Sequence, residues 1–235
     1  MRLQLAFAFV LLFLVAACGG DDDSDAPEAA TPTAAQLLEE SAEAARNVRS
    51  FHFRLTHRNG TTSLPLDFPL DLETAEGDVS IPGRLKGNLR AKASGVLGVT
   101  VDVVAIDNQT WITNPFTRNW QRLSGASLRD FADPAALVNS LLPAIKDAKI
   151  VAENEVDGVR TRQIEGRVDS GELEDAVGVA EAGNDVKVEV WIGVDDSLPR
   201  RLRITGPLSE DDDDDIERQV ELSRFGEPVN ITPPQ

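Results

Sequence analysis

Tyrosine is absent from these 235 residues, histidine occurs twice, cysteine once, and aromatic residues make up only 5% of the chain. A single cysteine cannot close an intramolecular disulfide, so an exported chain of this kind is stable through its core alone. That core has to be built mostly from Val, Leu, Ile and Ala. Positive charge is scarce as well: 23 Lys and Arg stand against 40 Asp and Glu, a net charge of −17. Nucleic acid is excluded as a partner, because its phosphates demand Lys and Arg surfaces. Broad electrostatic adhesion to acidic lipid heads is disfavoured on the same ground. The chain also lacks a G-x-S-x-G elbow, S-x-x-K, H-E-x-x-H and any phosphate-binding glycine loop. His52 and His57, five residues apart, have no ligand or triad companion nearby in sequence and read as solvated strand histidines. No catalytic residue, metal-ligand set or cofactor is expected, and the chain reads as a non-enzyme.

What is present begins with the lone cysteine. Leu3 to Val15 carries no charge and follows Arg2. Its thirteen residues would make about 20 Å of helix, too short for a hydrocarbon core of about 30 Å. The run therefore reads as the apolar region of an export signal. Val15-Ala16-Ala17 supplies small or β-branched residues directly before Cys18, matching the lipobox of bacterial lipoproteins. Residues 1–17 are then a signal peptide, and the Cys18 thiol becomes a lipid anchor carrying diacylglycerol, with palmitate on the new N-terminus. The mature protein would hang from the cell membrane on its extracytoplasmic, periplasm-facing side. Residues 18–33, with the acidic block Asp21-Asp22-Asp23, contain little to bury and read as a disordered tether. Such a segment spans about 20 Å root-mean-square and about 50 Å fully stretched. Residues 34–235 are expected to form one domain.

Within that domain, Thr33 is a candidate N-cap for a helix to Val48, with Leu37, Leu38, Ser41, Ala44, Ala45 and Val48 on one stripe. Period two takes over at Phe51, Phe53 and Leu55, and returns at residues 85–93, 99–105, 150–156, 159–168, 186–192, 202–204 and 220–222. Asn59-Gly60 and Asp157-Gly158 supply turns. About eight strands with one apolar and one charged face indicate an antiparallel meander in an α+β fold. Two further helices are expected, Ser127–Lys149, restarting at Asp133-Pro134, and Ser170–Ala182. Five consecutive aspartates, Asp211 to Asp215, read as a solvated hairpin tip, with cation binding left open.

These elements pose a packing problem. A large one-sided sheet needs cover that three modest helices supply poorly, and several inward candidates (Gly87, Ala91, Ala93, Ala105) fill little space. Either the sheet curls into a filled core, or sheet and helices enclose an apolar hollow. Unfilled apolar volume costs about 24 cal/mol per Å3, so a hollow implies a hydrophobic occupant. Residue pattern alone leaves both open.

Four stretches in order, the lipobox at Cys18, "SFHFRLTHR", "VDVVAIDNQTWITNPFTRNWQRL" with "DPAALVNSLL", and "VWIGVDDSLPRRLRI" through "VELSRFGEPVNITPP", resemble the LppX/LprA/LprF/LprG family of bacterial lipoproteins. The resemblance covers residues 34 to 234. It implies a strongly curved antiparallel half-barrel with helices covering its concave face, similar to LolA and LolB. It also implies an apolar cavity for the acyl chains of a lipid or glycolipid, carried within the envelope by a monomer that meets an envelope transporter. The family brings no catalytic positions. The expected lining residues are Phe53, Leu55, Leu89, Val101, Val103, Val190, Ile192 and Leu202 from strands, and Leu137, Leu141 and Leu142 from a helix. Trp111 is expected at the rim. The competing reading on the same fold is a sensor lipoprotein similar to RseB, which binds other envelope proteins.

Overall fold

The chain enters its first helix through a reciprocal cap: Thr33 Oγ1 accepts from Gln36 N (3.3 Å) and Gln36 Oε1 from Thr33 N (2.8 Å). This description rests on a computed structural model that describes residues 31–64, 70–123, 134–174, 176–178 and 180–235. Cys18, the signal peptide and nearly all of the tether lie outside these residues, as does the start expected for the second helix. Pro32 to Gln235 form one compact unit.

Helix α1 (Ala34–Arg46) ends at Asn47 and leads into β1 (Ser50–Arg58), β2 (Thr62–Leu64), β3 (Leu70–Ser80), β4 (Arg84–Ala93) and β5 (Leu97–Ile106). Strands β6 (Gln109–Thr113) and β7 (Trp120–Arg122) follow, then α2 (Pro134–Ala144), β8 (Lys146–Val156) and β9 (Val159–Asp169). The chain closes with β10 (Asp185–Gly193), β11 (Pro199–Thr205) and β12 (Glu217–Ser223). All twelve strands join one antiparallel sheet in the order β7-β6-β5-β4-β3-β1-β12-β11-β10-β9-β8, with β2 paired to β3 beside it. The sheet does not close on itself. Its local turns follow sequence chemistry: Asp157 (φ 49°) and Gly158 (φ 81°) join β8 to β9 with both central residues left-handed.

Alternation sets the inward face. Phe51 and Phe53 on β1, Val101 and Val103 on β5, Val188, Val190 and Ile192 on β10, and Leu202 and Ile204 on β11 enter one core with Leu37, Leu38, Leu137, Val138, Leu141 and Leu142 of the two helices. The outward face is charged but not bare. Trp191 is buried beneath the guanidinium groups of Arg201 and Arg203, 5.5 and 5.2 Å from its ring centroid, so long cationic stems shield apolar area from water.

Three expectations fail in detail. The sheet has twelve strands rather than about eight, because β2, β3 and β7 carry weak patterns. In β3 an extra residue, Glu73, falls between the pairs Leu72–Ala91 and Thr74–Arg90, shifting the inward set from Leu70 and Leu72 to Ala75, Gly77 and Val79. The second helix stops at Ala144, and Lys146–Lys149 is strand. Pro143 lies in its last turn, and β8 gains a ladder with β9 that a longer helix would forfeit. Ser170–Ala182 forms only a 3-10 turn, Ser170–Leu173, capped by Asp169, followed by irregular turns among the described residues. Two glycines, Gly171 and Gly178, leave this stretch too little propensity to propagate a helix.

Candidate functional site

Curvature makes the site. Gly77 and Gly87 face each other across β3 and β4, in a row that runs Phe53–Gly77–Gly87–Val103. A Cβ on Gly77 would lie 2.5 Å from the Lys86 carbonyl oxygen, and one on Gly87 would strike the Glu76 carbonyl. The two backbones approach on the concave side more closely than any side chain permits, which bends the sheet here. Ala75, Ala91 and Ala105 on the neighbouring inward positions add little bulk.

A void of about 130 Å3 remains between this concave face and the helices. Leu55 (β1), Leu72 and Ala75 (β3), Leu85 and Leu89 (β4) and Val103 (β5) form its floor. Leu137 of α2, Ala176 and Val177 after the 3-10 turn, and Leu208 after β11 close it from above. Polar atoms are confined to a few positions. By strand register the His57–Arg218 pair and the Leu85–Ala105–Thr110 row lie six residues apart, so the hollow runs about 20 Å along the strands.

At one end stands a directed chain of hydrogen bonds. Arg218 Nε donates to Thr62 Oγ1 (3.0 Å), Thr62 Oγ1 meets His57 Nε2 (2.9 Å), and His57 Nδ1 meets the Glu73 carbonyl (3.0 Å). A carbonyl only accepts, so the imidazole proton sits on Nδ1 and Nε2 accepts from the threonine. Burial lowers the His57 pKa, with Arg218 adding to the effect, against upward pulls from the Glu73 hydrogen bond and Asp212. Arg218 is itself buried and pairs with Asp212 at 2.6 Å; the same carboxylate accepts from Leu208 N (2.7 Å) and Ser209 N (3.2 Å). At the other end, Thr110 Oγ1 is buried in the wall with no hydrogen-bond partner.

Six of the expected lining residues border this void: Phe53, Leu55, Leu89, Val103, Leu137 and Leu202. Val101, Leu141, Leu142, Val190 and Ile192 are buried in the surrounding core without bordering it. Trp111 pairs with Val104 on the outward face and lies away from the cavity. Two other readings are corrected. His57 is an inward, hydrogen-bonded residue rather than a solvated one, since its odd parity in β1 matches Phe53 and Leu55. The aspartate run is not wholly a solvated tip either, because Asp212 turns inward to neutralise Arg218. Among the described residues no group of three or more His, Cys, Asp or Glu side chains is arranged to hold a metal.

Comparison with known proteins places this geometry. The model of the LppX_LprAFG lipoprotein family matches residues 33–231. The lipoarabinomannan carrier protein LprG of Mycobacterium tuberculosis is 28% identical over 239 residues, covering 98% of this chain and 93% of that protein. LprF of the same species, named as a proposed diacylated glycolipid transporter, is 22% identical over 246 residues, covering 98% and 90%. The crystal structure of LprF from Mycobacterium bovis superposes with a TM-score of 0.66 at 19% identity, covering 86% of this chain and 96% of that one. That of Mycobacterium tuberculosis LppX gives 0.61 at 19% identity, covering 84% and 97%. The overall fold is thus shared with the LprF and LppX crystal structures, and the chain belongs to the LppX_LprAFG lipoprotein family.

Proposed function

We propose that this protein is a membrane-anchored, extracytoplasmic carrier that holds the acyl chains of a lipid or glycolipid in its cavity and moves them within the cell envelope. The observation that carries the reading is the void itself, walled by Leu, Val and Ala side chains too short to fill it. The names of LprG and LprF, a lipoarabinomannan carrier and a proposed glycolipid transporter, agree with it. The anchor in this reading is acylated Cys18, and no step requires a cofactor or covalent chemistry.

Magnitudes constrain how cargo enters. A cavity near 130 Å3 is about the size of an engineered void that stays dry and admits benzene, so a whole acyl chain requires the wall to open. The sheet resists opening, because its strands share hydrogen-bond ladders. Helix α2 meets the sheet through apolar side chains, and moving it aside breaks no ladder. Thr110 Oγ1 and the remaining N–H groups of Arg218 offer polar contacts to ester or hydroxyl groups at the two ends of the hollow.

Binding of a series of fluorescent fatty acids to the full chain tests the reading. Affinity should rise about fourfold for each added CH2 until the hollow is filled. Val103→Trp and Leu89→Trp should abolish uptake while leaving the circular-dichroism spectrum unchanged. Binding that is independent of chain length, or untouched by both fillers, would overturn the proposal.

A further inference from the structure

The two turns at one end of the sheet carry the three most exposed large apolar side chains of the described residues. Val96 is 86% exposed and Leu97 52%, at the β4–β5 turn, and Phe116 is 68% exposed at the β6–β7 turn. Exposed apolar residues scattered singly need no explanation, but these three are brought to the same edge. Ala93 pairs with Leu97, and β5 runs from there toward Ile106. Strand β6 runs back along β5, and Arg118 of the following turn donates to the Thr100 carbonyl (2.8 Å) and pairs with Asp102 (2.7 Å). Phe116 therefore projects beside the segment that leads from Leu97.

Both turns are built rather than loose. Ser94 (φ 50°) and Gly95 (φ 73°) make the first, closed by Val96 N to Ala93 O at 3.3 Å. In the second, Asn114 Oδ1 accepts from Phe116 N and Thr117 N, both at 3.0 Å, and Arg118 N donates to Asn114 O. Ordering a turn so as to hold a phenyl ring in water is costly unless the ring has a partner.

Charge identifies that partner. Residues 84–101 contain Arg84, Lys86, Arg90 and Lys92, and residues 108–123 contain Arg118 and Arg122, with no acidic residue in either window of a chain whose net charge is −17. Lys92 faces Glu73 (3.1 Å) and Arg118 faces Asp102, which leaves exposed Arg90, opposite Thr100, as the cation beside the turns; Lys86 and Arg122 lie farther along the strands, in the row of Val104 and Trp111. Half-buried Trp120 follows the second turn. Apolar side chains flanked by Arg90, Lys92, Arg118 and an indole match the boundary between lipid headgroups and acyl chains.

We propose that the β4–β5 and β6–β7 turns form one membrane-contact edge, which rests on an anionic bilayer with Val96, Leu97 and Phe116 dipping below its headgroups. Leu89, which lines the cavity, lies on the strand that carries Arg90 and Lys92, so contact brings the cavity wall to the bilayer. Global repulsion from −17 charges and local attraction at this edge together fix one orientation.

Amide exchange, followed by mass spectrometry on the full chain, tests this without any cargo, so its failure leaves the carrier reading standing. The protein is bound to phosphatidylcholine vesicles with and without phosphatidylglycerol. Exchange over 94–98 and 114–118 should slow on the anionic vesicles relative to the neutral ones. Leu97→Asp and Phe116→Asp should erase that difference, and Arg90→Gln should lower the docked population roughly fivefold. These residues are exposed, so the variants keep the fold. Equal exchange on both vesicles would overturn the proposal. So would protection seen only with envelope protein present, which would make the edge a protein-docking site.

Discussion

At the scale of single residues, the polar end of the cavity is where charge and burial conflict most. A guanidinium taken out of water is tolerable only with a partner, and Asp212 supplies it at 2.6 Å. Arg218→Met strands that carboxylate, and the expected cost is about 3–5 kcal/mol. The double variant with Asp212→Asn should recover much of the loss, and urea denaturation of both reads the difference. His57 adds a pH dependence. Burial holds its folded pKa below the ordinary value, so between about 6.5 and that lowered value the unfolded chain binds a proton the folded chain refuses. Stability from this group is complete above pH 6.5 and is lost as pH falls through the window. His57→Gln should flatten that part of the melting-temperature profile; superimposable profiles would refute it. Neither role was legible in sequence, because Thr62 and Arg218 are 156 residues apart and are brought together by the β2–β3, β3–β1 and β1–β12 pairings in combination.

At the scale of elements, the bend at Gly77 and Gly87 is the feature on which the hollow depends. Gly87→Val would drive its side chain into the Glu76 carbonyl, and the backbone cannot yield without breaking the β3–β4 ladder. A loss of about 1–3 kcal/mol is expected, read by denaturant midpoint, with a shallower cavity reflected in weaker acyl-chain binding. The strands with clean alternation, β1, β4, β5, β9 and β10, could be read directly from the sequence, as could α1 from Thr33 and its apolar stripe. Strand β3 could not, because the extra residue Glu73 inverts its phase midway. The Ser170–Ala182 reading failed for the opposite reason: apolar spacing suggested a helix where glycine content forbids one to extend.

At the scale of the whole molecule, sequence stated the packing problem but not its solution. Small inward residues and too few covering helices were visible, yet whether the sheet collapsed or stayed bowed depended on the register of Gly77 against Gly87. The structure keeps the bow, and a void with it. Half of the expected lining residues border the void, five of them at inward strand positions and Leu137 on α2. Parity cannot tell a wall from a filled core, so Val190 and Ile192, packed against β9 and β11, were not distinguishable from Leu89 or Val103. Global charge misled in a different way, since a net −17 conceals a basic edge. The most direct test of the central claim is native mass spectrometry of the protein purified from its own host, followed by organic extraction. The account predicts a bound species of lipid mass, released on extraction and missing from the Val103→Trp variant. Protein of bare polypeptide-plus-anchor mass, with nothing extractable and no acyl-chain uptake afterwards, would contradict it.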